Sequence, residues 1–183
     1  MKHFLIGFCL VLCTTGRSQV VSADYQVTLN GIGPFKIDMN KPEIEKKINQ
    51  SIATPKSSRK DNYENDTVHV RYKDAELTLV FYKRYINEDS SAISLYSVSG
   101  KSALLKTRSG IGLGDDKIKI VSTYNDFNMN IFADYEPNEK GEYKRSKTKS
   151  TITLMDEESN SVIDFLLESN KVIGFRVTLY EGC

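Results

Sequence analysis

The chain has 183 residues, 39% hydrophobic and 27% charged, with 25 Lys and Arg against 24 Asp and Glu. This near-balance removes the electrostatic argument for a nucleic acid or an acidic membrane as partner. The apolar content suffices for a core, which excludes a disordered chain, and the length suits one ordinary domain or two very small ones.

The N-terminus reads as an export signal. Lys2 supplies a positive start, residues 4–12 form an apolar run interrupted only by Gly7, and the chain then turns small and polar. The run is too short to cross a membrane, which takes about 20 apolar residues. Gly16 and Ser18 meet the small-residue rule of signal peptidase, so residues 1–18 are the expected signal peptide and Gln19 the mature start; Val21 and Ala23 offer a later exit. Leu10-Val11-Leu12-Cys13 offers a third route, lipidation at Cys13, although Leu12 stands where a lipobox carries Gly, Ala or Ser. Removing residues 1–18 takes away Lys2 and Arg17, leaving 23 basic residues against 24 acidic ones, a net charge of −1. It also takes Cys9 and Cys13, so only the terminal Cys183 remains and no internal disulfide can form. Such a fold rests on its core alone.

In chain order, residues 25–29 alternate with period two and predict a strand. Asn40-Lys41-Pro42-Glu43 carries a capping residue, a proline suited to a first turn and a glutamate that closes a capping box, followed by the stripe Ile44, Ile48, Ile52. Val68, Val70 and Tyr72 alternate, Lys73-Asp74 turns the chain, and residues 77–82 return, which predicts a hairpin with His69 facing away from the core. Ile93, Leu95 and Ser97 continue the alternation to Gly100. Gly114-Asp115-Asp116 opens a second helix, with the aspartates at the positive end of its dipole and Ile120, Val121, Tyr124 and Phe127 on one side. Residues 134–150 read as a long polar loop, and residues 151–155, 162–167 and 172–180 as strands separated by turns at 156–160 and at Ser169-Asn170.

These pieces repeat. Ile37-Asp38-Met39-Asn40 followed by Ile44 matches Ile111-Gly112-Leu113-Gly114 followed by Ile118, 74 residues later. The expectation is an α+β fold: a single domain over residues 19–183, made of two tandem helix-plus-three-strand units at about 30–100 and 104–182. Its sheet would be mainly antiparallel, with the helices packed on one face, because neither half alone is large enough to bury a helix stripe and a sheet face. The Ile111–Gly114 segment with Asp115, Asp116, Ile118 and Val121 resembles the repeat of the beta-lactamase-inhibitor-like proteins, a unit shared with small outer-membrane assembly lipoproteins; Ile37–Asn40 is a departed copy. The resemblance implies an exported binding or scaffolding role without catalysis and transfers no residue set.

The catalytic inventory is thin. His69 is the only histidine after residue 18, and no Gly-x-Ser-x-Gly elbow accompanies it. Gly110-Ile111-Gly112-Leu113-Gly114 has the wrong spacing for a phosphate loop and is followed by two aspartates. The acidic stretch at 134–141 lacks the sixth-position glycine and the distant bidentate glutamate of a calcium loop, and 156–158 reads as an acidic cluster on a solvated turn. No catalytic, cofactor-binding or metal-binding residue is therefore assigned, and no cofactor. The residues set aside for partner contact are Lys140, Lys144, Arg145, Lys147 and Lys149, a basic run among polar residues. The expected protein is an exported periplasmic, cell-envelope or secreted binding or scaffolding protein, not an enzyme. Its partner would be a protein or envelope component, with no nucleic acid, and with a membrane only through lipid on Cys13. The alternatives are a carboxylate-dependent hydrolase, whose acids no spacing singles out, and a membrane-anchored structural lipoprotein.

Overall fold

The computed structural model describes residues 21–52, 66–87, 90–156 and 159–180. The expected signal peptide at residues 1–18, with Cys13, and also Cys183 and the Glu157-Glu158 pair lie outside them. A 3-10 turn, Ala23–Tyr25, leads into three short strands, β1 (Gln26–Thr28), β2 (Gly31–Ile32) and β3 (Phe35–Lys36). Then come α1 (Lys41–Ile48), β4 (Asp66–Tyr72), β5 (Ala75–Asn87), β6 (Ser90–Gly100), β7 (Lys106–Thr107), α2 (Lys117–Thr123), β8 (Asn128–Pro137), β9 (Tyr143–Met155), β10 (Ser161–Glu168) and β11 (Lys171–Leu179).

The strands form two sheets. One has seven strands in the order β4-β5-β6-β11-β10-β9-β8, antiparallel throughout; the other has four short strands in the order β3-β2-β1-β7. The small sheet lies against the large one, β2 touching β6 and β11 and β1 touching β11. Gly31 and Gly33 permit its tight turns: both have positive φ, and a Cβ would strike the Phe35 carbonyl oxygen at the first and the Asp24 carbonyl oxygen at the second. One apolar cluster holds the layers together. It joins Val27, Ile32, Phe35, Leu105 and Ile111 of the covering layer to Leu77, Leu79, Phe81, Val98, Phe165, Phe175 and Val177 of the large sheet.

This overturns the expected α+β fold of two helix-plus-three-strand units with helices on one face. The described protein is mostly β, with two short helices and two sheets. Each helix buries one of its own residues, Ile44 in α1 and Ile120 in α2, so the covering layer is chiefly a second sheet. The physical cause is local. Asn49 takes a left-handed C-cap and stops α1 after two turns, and Ile52 reaches the core from beyond the helix. Asp116, not Gly114, caps α2, and Phe127, expected on its apolar side, is 45% exposed past the helix end. The second helix is followed by four strands, because the polar stretch 134–150 is not a loop: it holds the end of β8 and the start of β9, joined at 138–142.

Locally much of the chain folds as its pattern dictates. Asn40 Oδ1 accepts the Glu43 N–H and Glu43 Oε2 accepts the Asn40 N–H, at 3.0 and 3.2 Å, which completes the capping box. β4 and β5 form the hairpin about Lys73-Asp74, with Lys73 at positive φ. In β6 a register shift falls between Val80 and Phe81 of its partner, so Leu95 and Val98 face the core and Ser97 does not. The expected alternation through Ser97 fails at that bulge.

Candidate functional site

The covering sheet and helices occupy one side of the seven-stranded sheet. Two cross-strand rows line that side. One runs Val70, Leu77, Gly100, Phe175, Phe165, Ile152, Ile131, and the other Val68, Leu79, Val98, Val177, Ile163, Leu154, Met129. Between them, on the opposite side, runs a row from all seven strands: His69, Thr78, Ser99, Arg176, Asp164, Thr153 and Asn130. Every member is polar. At roughly 4.8 Å per strand the row is about 29 Å long.

Five of its seven members bond to a neighbour in the row. His69 Nδ1 and Thr78 Oγ1 are 3.0 Å apart. Arg176 donates to Asp164 Oδ2 through Nε at 2.8 Å and NH2 at 2.6 Å, and Thr153 Oγ1 donates to Asp164 Oδ1 at 2.6 Å. Asp164 is 3% exposed, while about half of the Arg176 side chain remains open to solvent. A buried carboxylate is tolerable here because both its oxygens are satisfied, Oδ1 by the Thr153 hydroxyl and Oδ2 by two nitrogens of its counter-charge.

One end of the row opens into a trough of about 740 Å³ across β4, β5 and β6, floored by His69, Thr78 and Ser99. Arg71 and Lys101 line it with one sign of charge, and Asp74 and Glu76 with the other. A wide trough lined with both charges and with hydroxyls can bind a polar ligand at many points. Its histidine, His69, meets the Thr78 hydroxyl, and among the described residues no third side chain is hydrogen-bonded to the other ring nitrogen to orient it. No group of three or more His, Cys, Asp or Glu side chains among the described residues is placed to hold a metal ion.

The basic residues expected to touch a partner lie at the far edge of the sheet. Lys140 is in the turn 138–142, Lys144 stands 3.7 Å from Glu142, and Lys149 pairs with Glu136. Hydrogen bonds from Lys149 and then Ser146 hold the Glu136 carboxyl below the usual range, and Glu136 raises the Lys149 ammonium in return. Arg145, Lys147 and Lys149 come together around a second concavity, with Lys117 of α2 added; Lys140 and Lys144 do not reach it.

The polar row escaped the sequence reading, apart from His69, yet its signal is there. Seven short strings place one polar residue between two apolar or glycine neighbours: Val68-His69-Val70, Leu77-Thr78-Leu79, Val98-Ser99-Gly100, Met129-Asn130-Ile131, Ile152-Thr153-Leu154, Ile163-Asp164-Phe165 and Phe175-Arg176-Val177. Each says only that one residue faces away from a core. Register alone aligns them. Comparison with protein families, with curated proteins and with solved structures finds no match to this chain.

Proposed function

We propose that the chain is an exported, non-enzymatic binding protein of the cell envelope or extracellular space, and that its polar sheet face takes a protein partner. The observation that carries this reading is the unbroken polar row across seven strands, directly behind two apolar rows. A solvent-facing sheet side commonly alternates polar residues, but this one adds a trough with charges of both signs, where a partner's side chains would find complementary groups. The short apolar run behind Lys2 and the Gly16/Ser18 exit support export. The resemblance of residues 111–121 to exported scaffolding repeats points the same way.

The test blocks the trough. Ser99→Trp would place an indole in its floor, at a position of the polar row. Affinity capture from the native cell envelope should recover a partner with wild-type protein and with Ile118→Ser, an exposed position on α2, and lose it with Ser99→Trp. Equal recovery by wild type and Ser99→Trp would refute the assignment of the face. N-terminal sequencing of the exported protein should begin at Gln19.

A further inference from the structure

At the far edge of the large sheet β9 is kinked. Ser150 pairs with Ala133 and Arg145 with Tyr135, so four residues of β9, 146–149, oppose Asp134 alone. The Ser146 hydroxyl oxygen accepts the Thr148 and Lys149 N–H groups at 3.3 and 3.0 Å and holds the bulge. The kink opens a pocket of about 360 Å³.

Lys117, Arg145, Lys147 and Lys149 all line it, and no carboxylate does. Lys149 is matched by Glu136. Lys117, Arg145 and Lys147 have no ion pair among the described residues. Three cations without an ion pair among the described residues, from two separate elements, thus converge on one concavity, and the nearby carboxylates, Glu136, Glu168 and Asp134, act on Lys149 beside them. Ile131, 44% exposed, adds an apolar wall. An oxyanion would relieve the repulsion and accept charge-assisted hydrogen bonds from guanidinium and ammonium groups together. We infer that this pocket is an anion site that binds a phosphate group, free as a soluble phosphoester or carried on a lipid head group. It shares no lining residue with the trough, so its failure would leave the reading of the sheet face intact.

Inorganic phosphate titrated into the purified full chain should shift the amide resonances of Lys117 and of residues 145–149 saturably. Arg145→Gln combined with Lys147→Gln should weaken that affinity by about tenfold or more, two charge-assisted contacts being lost. Both side chains are exposed, so the double variant should keep the wild-type melt. Lys101→Gln, in the trough, should bind phosphate as the wild type does. Vesicles of phosphatidylglycerol in phosphatidylcholine, against pure phosphatidylcholine, separate the two sources. Pelleting with the anionic vesicles that the double variant abolishes assigns a lipid head group; phosphate binding without pelleting assigns a soluble phosphoester. No saturable shift, or a double variant that binds phosphate as tightly as the wild type, overturns the inference.

Discussion

Asp164 and Arg176 are not equivalent partners, because one is enclosed and the other is not. Arg176→Met leaves a buried carboxylate with only a threonine hydroxyl, and should cost about 3 kcal/mol. Asp164→Asn removes the enclosed charge, keeps one acceptor, and leaves an arginine that water can reach; its cost should be about 1 kcal/mol. Urea melts of the two variants decide this, and equal costs would mean that the pair is solvated as a unit. Asp24 is held below the ordinary carboxyl range by Lys73 and then by the Tyr72 hydroxyl, Glu45 by the Ile52 N–H and then by Lys41, and Glu136 by Lys149 and then by Ser146. Groups with depressed folded values lend stability that is complete above their unfolded values, about 4, and is lost as pH falls through the folded ones. The melting temperature should therefore hold from neutral pH to about pH 5 and decline below about pH 4. The decline should be shallower in Asp24→Asn.

Among the elements, α2 is short enough that one side chain fixes it. Ile120 is fully buried, and Ile120→Ala should cost about 2–5 kcal/mol by loss of contact and the cavity left behind. Val121 is only partly buried, so Val121→Asp should destabilise less than Ile120→Asp, whose carboxylate could not reach water. The outer part of the β8–β9 hairpin differs from the rest of the sheet. Residues 135–145 are mostly exposed on both faces, and Tyr135 and Tyr143 stand in solvent. With little apolar burial to resist opening, amides there should exchange with solvent faster than those of β5, β6, β10 and β11. Hydrogen-exchange mass spectrometry resolves the two groups, and matching protection would show that the arm is covered.

At the scale of the molecule, the two halves depend on each other. β6 ends the first meander and β11 the second, and they pair through Ser97–Gly100 and Phe175–Thr178 at the centre of the large sheet. β7, from the second half of the chain, pairs in parallel with β1 from the first. Cutting after Gly100 would expose a central strand edge and remove a strand from the covering sheet. Neither residues 24–100 nor 101–183 should fold alone, and the whole chain should melt in one cooperative transition. Circular dichroism melts of the three chains test this; a cooperative melt from either half would show separable cores.

The sequence alone determined the features set by neighbours along the chain. The Asn40/Glu43 capping box, the hairpin turn at Lys73-Asp74 and the outward direction of His69 need only contacts a few residues apart. Features that depend on distant partners stayed hidden. Residues 134–150 have no hydrophobic period because the arm has little core behind it, so nothing in their pattern marked them as strands. The small sheet is built from strands of two or three residues, too short to show any period. His69, Thr78, Ser99, Arg176, Asp164, Thr153 and Asn130 each announce only that they face away from a core. Tertiary register placed them in one line, and it brought Lys117 to the basic kink of β9, because strand pairing joins residues by hydrogen bonds that no local pattern encodes.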